Sequence, residues 1–234
     1  MNWESFKKKF HESWHPYMKA FIESEECDNI FKLLKARSAE GGKIGPSSHN
    51  TFKAFEIPLD KIKVVIMGSR PYDGFIDGYP VANGLYLDCS AIGQVSYELR
   101  NFYRGLELEL YNGLKLDYLP DTHNIHYLTE QGVMMMTASL TTEDDGDHDN
   151  LWFPFTSYVM NHIFSKFNFP IILLGDNTIP YTHFILDESR VFRLDEPKGV
   201  ISEWDTKGVF QKVDNLVTEN NQDTVMWLNI ECPF

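Results

Sequence analysis

An α/β chain whose mainly parallel sheet is covered on both faces is the fold class this sequence predicts, and two observations predict it. Four short apolar runs read as strands: Lys63–Met67, Val133–Met136, Pro170–Leu174 and Val191–Leu194. Stretches of helical period lie between them, and apolar strands alternating with helices imply a sheet buried on both sides. In such sheets ligands sit beyond the carboxyl ends of the strands. The segments after Met67 and after Met136 are therefore the places to look for a site.

The elements follow in order. Trp3, Phe6, Phe10 and Trp14 recur at helical spacing, with His15-Pro16 expected as a break. Phe31, Leu33 and Leu34 sit on a further helix. Ser38 to Asn50, rich in Gly, Ser and Pro, is expected to join this helical segment (1–50) to the α/β body within a single domain, 1–234. Tyr97–Leu110 is the next helix. In Trp152–Phe167, Phe155, Tyr158, Val159, His162 and Ile163 fall at i, i+3, i+4, i+7 and i+8, one face of a helix. Thr178–Asp187 and Thr206–Thr218 are the last helical stretches.

The length, 234 residues with 43% hydrophobic content, suits one core of the larger kind. No run approaches the ~18–20 apolar residues of a membrane span, so no membrane partner is expected. The first nine residues lack the apolar stretch of a secretory leader. Cys27, Cys89 and Cys232 show no metal spacing and cannot all pair, which implies a reducing, cytoplasmic setting, with nucleoid or nucleus equally compatible. The formal net charge is −13, which opposes phosphate tracking, so duplex DNA binding is expected to be weak.

Gly68-Ser69-Arg70-Pro71-Tyr72-Asp73-Gly74 follows the first strand directly. It resembles the active-site turn of the uracil-DNA glycosylases, Gly-Gln-Asp-Pro-Tyr-His-Gly. Further matches follow in order: Ala82-Asn83-Gly84-Leu85, Tyr97 to Tyr103, Gln131 to Thr141, Trp152 to Thr156, and Val225-Met226-Trp227. Together they cover roughly residues 50–230. The resemblance implies a uracil-DNA-glycosylase-like fold, with a central four-stranded, mainly parallel sheet flanked by helices.

The resemblance also implies a chemistry. The family flips uracil out of DNA and hydrolyses its N-glycosidic bond. An aspartate stabilises the cation-like sugar, an asparagine reads the uracil edge, and a histidine donates to the departing base. Here Arg70 stands at the aspartate position, Thr137 at the asparagine and Glu196 at the histidine, while Asp73 replaces the histidine of the turn. A unit charge ~4 Å from the sugar is worth about 4 kcal/mol at a dielectric of ~20, so reversing its sign swings the barrier by roughly 8 kcal/mol. One hydroxyl on Thr137 cannot hold a donor and an acceptor in a fixed plane. Leu87 falls where the family stacks a phenylalanine, Glu98 where it has a serine, and Val200 near its wedging leucine.

No catalytic position is thus intact. The expectation is a pseudoenzyme: a family fold without uracil excision, acting as a binding or accessory protein in DNA replication or repair, with a protein partner. Gly68, Ser69, Arg70, Pro71, Tyr72, Leu87, Thr137 and Glu196 would line a vestigial pocket, closed by an Arg70–Glu196 ion pair unless both side chains reach solvent separately. The alternative is a divergent active glycosylase, with Asp73 as its carboxylate. A second alternative is a pocket for a modified base or nucleotide. Glu143–Asp149 reads as a solvated acidic loop, or as a surface that rejects or mimics phosphate. Its spacing fails as a calcium loop, because Phe155 stands where glutamate is needed. His123 and His126 lack a third ligand. No metal and no cofactor is expected.

Overall fold

The computed structural model describes residues 2–111, 123–144, 146–199 and 204–228. Asp145, Val200 and Cys232, each part of an expectation above, lie outside them.

Strands β1 (Val64–Gly68), β2 (Val133–Thr137), β3 (Ile171–Leu174) and β4 (Val191–Leu194) form one parallel sheet in the order β2-β1-β3-β4. Every residue of β1, β2 and β3 is buried, which is why these strands are continuous apolar runs. Only Leu194 is buried on the edge strand β4. The register sets Gly68 opposite Thr137, so β1 and β2 end level with each other.

The longer helices are α1 (His15–Ile22), α2 (Glu25–Ala39), α3 (Tyr97–Leu110), α4 (Asp149–His162) and α5 (Val209–Glu219). Three expectations need correction. His15-Pro16 opens α1 rather than breaking a helix, because proline in the first turn has no N–H to leave unsatisfied. Thr178–Asp187 is not an α-helix: Thr178–Phe184 belongs to a 3₁₀ run, Asp176–Phe184, which ends at the extended Ile185. Pro180 removes a donor there, and the Thr178 and Thr182 hydroxyls donate to the carbonyls of Gly175 and Ile179. The last helix begins only at Val209, since Lys207 and Gly208 take φ of 53° and 68°, outside the helical region.

Ser38–Asn50 is also more than a connection. Ile44–Gly45 pairs antiparallel with Thr142–Glu143, which fastens the segment to the loop after β2. The N-terminal aromatics pack into a cluster with Phe52, Phe55, Trp152 and Phe155. Phe52 lies 5.4 Å from Phe6 and 5.5 Å from Phe155, edge to face. Trp14 is fully buried and donates from its indole nitrogen to the Ile57 carbonyl at 2.8 Å. Cys27 and Cys89 are buried thiols, and burial pushes Cys27 up to about 11. No helix among the described residues is long and apolar enough to cross a membrane.

Candidate active site

The turn after β1 begins with a close approach. A Cβ on Gly68 would sit 2.0 Å from the Tyr86 ring, so only glycine lets that ring pack against the strand end. Tyr86 is buried, and burial, then the charges of Glu196 and Glu98, hold its hydroxyl well above the usual range and so neutral. The next residue, Leu87, has φ of 64° and turns the chain back.

These residues wall a cavity of ≈ 390 Å³ at the carboxyl ends of the strands. Arg70, Pro71, Tyr72 and Asp73 supply one side; Leu85, Tyr86 and Leu87 a second; Glu98, Glu196 and Lys198 the rest. A larger cavity, ≈ 500 Å³, is lined by Lys63, Gly132 and Val133 among others and so lies at the amino ends of β1 and β2, away from this chemistry.

Arg70 does not pair with Glu196, and it does not stand alone in solvent. Its guanidinium donates to Asp149 Oδ2 at 2.9 Å and lies 3.9 Å from Asp147 Oδ2. Asn177 donates to the same Asp149 oxygen at 2.8 Å. Burial pushes the Asp149 carboxyl up, and the Arg70 charge opposes that shift. Glu196 instead accepts the Ser69 backbone N–H at 3.0 Å and forms an ion pair with Lys198. The expected swapped pair therefore fails because each partner has a nearer opposite charge.

Tyr72 shares a hydrogen bond with Ser96 at 2.7 Å, and Asp73 is exposed on the cavity wall. Gly68, Ser69 and Thr137 do not line the cavity. They join the ends of β1 and β2 instead, where the Ala138 and Ser139 amides donate to the Gly68 and Ser69 carbonyls. Of the expected pocket, Arg70, Pro71, Tyr72, Leu87 and Glu196 remain on its wall. Tyr86 and Lys198 join them without having been singled out. Adjacency to Leu87, and a cation two residues after Glu196, were the available signals.

Within the described part of the acidic run, Asp144 and Asp147 are exposed, as expected of a solvated loop, whereas Glu143 is not. Glu143 is buried and accepts from Arg37 Nε at 3.1 Å, which holds its carboxyl below the usual range. Asp147 and Asp149 face Arg70, so part of the run's charge is balanced by a cation of the chain itself. Among the described residues no three His, Cys, Asp or Glu side chains are grouped to hold a metal ion.

No protein-family model matches the chain. Individual proteins do. It is 30% identical over 226 residues to uracil-DNA glycosylase 1 of Listeria innocua, covering 88% of this chain and 95% of that protein. It is 26% identical to the uracil-DNA glycosylase of Aliivibrio salmonicida, covering 93% and 97%. Among solved structures, mimivirus uracil-DNA glycosylase superposes with a TM-score of 0.75 at 19% identity, covering 94% of this chain and 88% of that one. A mimivirus variant in complex with UGI reaches 0.80 at 20% identity, covering 94% and 90%.

These relatives overturn the expectation of a non-excising accessory protein. They are named as glycosylases and match this chain over nearly their whole length, which favours the divergent enzyme. Arg70, 41% exposed, faces two aspartates, so its charge is not left unbalanced at the altered position.

Proposed function

This chain belongs to the uracil-DNA glycosylase family, and from that premise we propose that it excises uracil from DNA by hydrolysing the N-glycosidic bond. The observation that carries this reading is the match over 95% of the Listeria innocua enzyme. The cavity supports it, lying where an α/β sheet binds its ligands and carrying carboxylates beside a cation.

In this reaction the base leaves as an anion, the sugar becomes cation-like and water adds to it. Asp73, exposed on the cavity wall, is the proposed carboxylate that orients water and stabilises the sugar cation. Lys198, on the opposite loop, faces the departing base. Arg70 is held by Asp149 and Asp147 and neutralised there. DNA is the proposed partner, and the net charge of −13 makes tight binding of plain duplex unfavourable.

Uracil release from a single-stranded oligonucleotide, read as cleavage at the abasic site, tests the proposal. Asp73→Asn is expected to lower the rate about 10³-fold, the equivalent of about 4 kcal/mol from one charge ~4 Å away at a dielectric of ~20. Release by the wild type no faster than in a protein-free control would sink it.

A further inference from the structure

We infer that Glu196 and Lys198 together read the base, the Glu196 carboxylate accepting the ring N–H and the Lys198 ammonium donating to the carbonyl oxygen beside it. The inference rests on the glycosylase reading above and deepens it, by naming which residues recognise uracil.

Uracil presents an N–H flanked by two carbonyl oxygens. A reader of that edge needs an acceptor and a donor side by side. Thr137 is not on the cavity wall. Arg70 is committed to Asp149 and the Tyr72 hydroxyl to Ser96. Asp73 is exposed, and its charge is needed at the sugar.

Glu196 has the properties the task requires. Its side chain is 7% exposed, yet it lines the cavity. The Ser69 N–H fixes one oxygen at 3.0 Å. Its stem packs against Gly175, where a Cβ would meet the Glu196 Cγ at 2.8 Å. Held by backbone on both sides, the carboxylate needs little reorganisation to receive a ligand. Two carboxylate oxygens offer about four acceptor sites, so the bonds to Ser69 and Lys198 leave room for a ring N–H.

Lys198 supplies the complement. It is paired with Glu196 but 72% exposed, so its ammonium can lean onto a ligand oxygen without leaving the carboxylate. As the glycosidic bond breaks, its electron pair passes to the base, and negative charge builds on the ring nitrogen and the carbonyl oxygens. The ring N–H is retained throughout. The Glu196 contact is made in the ground state and weakens as negative charge builds on the ring, whereas the Lys198 contact strengthens as that charge develops. Glu196 is expected to act on binding and Lys198 on the rate.

Steady-state excision from a uracil-containing single-stranded oligonucleotide, with free uracil and free 3-methyluracil as competitors, separates these roles. For the wild type, uracil inhibits and 3-methyluracil, which lacks the N–H, does not. Glu196→Ala is expected to raise KM and the uracil inhibition constant tenfold or more. Lys198→Met is expected to lower kcat tenfold or more with KM within threefold, while Thr137→Ala leaves both near wild type. Lys198 is exposed, so its variant keeps the test open if Glu196→Ala fails to fold. An active wild type with both variants unimpaired, equal inhibition by 3-methyluracil, or a collapse of activity in Thr137→Ala would overturn the inference alone. A wild type that releases no uracil would remove the glycosylase reading and this inference with it.

Discussion

The aromatic cluster formed with the N-terminal segment and the charged rim at the sheet's carboxyl ends obey different rules. Phe52 is 2% exposed and meets Phe6, Phe10, Trp152 and Phe155 within 6 Å. What it contributes is volume and area, and many neighbours share the load. On the rim, Arg70 is 41% exposed and Lys198 72%. What these contribute is charge, and the meaning of each charge depends on one or two partners. Those partners are remote: Arg70 and Asp149 are 79 residues apart, Ser69 and Glu196 127. Taken singly, the rim substitutions look like losses. Taken as a set, Arg70 is balanced by two aspartates and Glu196 by Lys198.

The largest effect should come from the cluster. Phe52→Ala leaves a cavity among these four rings and is expected to cost about 3–5 kcal/mol, read by denaturant or thermal unfolding. A loss under about 1 kcal/mol would mean the rings repack freely, and the contrast with the rim would lose its basis.

The same contrast explains what the sequence disclosed. Three of the strands were legible because burial on both faces demands continuous apolar runs, and Val133–Thr137 and Ile171–Leu174 follow that rule directly, whereas Val191–Leu194 lies at the sheet edge with only Leu194 buried. Tyr97–Leu110 was legible from its period. The site was legible in place but not in meaning. Arg70 and Glu196 were found, and Lys198 stood two residues from Glu196, yet the partner of Arg70 could not be read, because Asp149 reaches it only once the chain has folded α4 back to the turn. Tyr86 was missed because its packing depends on Gly68 lacking a side chain, a contact across the sheet end. Thr178–Asp187 failed for a local reason: two threonine side chains and a proline compete with the helix.

A second prediction concerns the polar network that joins the two regions. Trp152 belongs to the cluster, and its indole N–H donates to Thr141 Oγ1 at 2.6 Å. Thr141 Oγ1 also shares a hydrogen bond with His148 Nδ1, 2.8 Å away, whose direction follows the imidazole tautomer. The other ring nitrogen, Nε2, faces Glu143 Oε2 at 3.8 Å. Burial lowers the His148 pKa below 6.5, and the Glu143 charge only partly opposes this. Below pH 6.5 the unfolded chain binds a proton that the folded chain resists, so stability falls as pH drops toward the folded value. The slope is at most about 1.4 kcal/mol per pH unit. Glu143 acts lower: its folded pKa is depressed, so its contribution is present above about 4.5 and lost only as pH falls through the folded value. Unfolding curves between pH 5 and 7 should show the slope in the wild type and a flatter profile in His148→Gln, whose side-chain amide can still share a hydrogen bond with Thr141. An unchanged slope would mean that the link between cluster and rim is not electrostatic.

The smallest effect is expected at the rim itself, in a double-mutant cycle of Arg70→Met and Asp149→Asn. The pair is close, 2.9 Å, but Arg70 is 41% exposed and solvent screens much of the attraction. Partly exposed ion pairs of this kind couple by about 0.2–1 kcal/mol. Losing Arg70 also does not strand Asp149, because Asn177 still donates to the same oxygen at 2.8 Å. The two single losses should therefore be small and nearly additive in stability. A coupling of about 3 kcal/mol or more would show Arg70 and Asp149 behaving as a buried pair, in which removing one partner leaves an uncompensated charge. The rim would then be as constrained as the aromatic cluster, by charge instead of volume. Arg70 would be a structural element of the site, since its charge could not be changed without loss of the turn that carries Asp73.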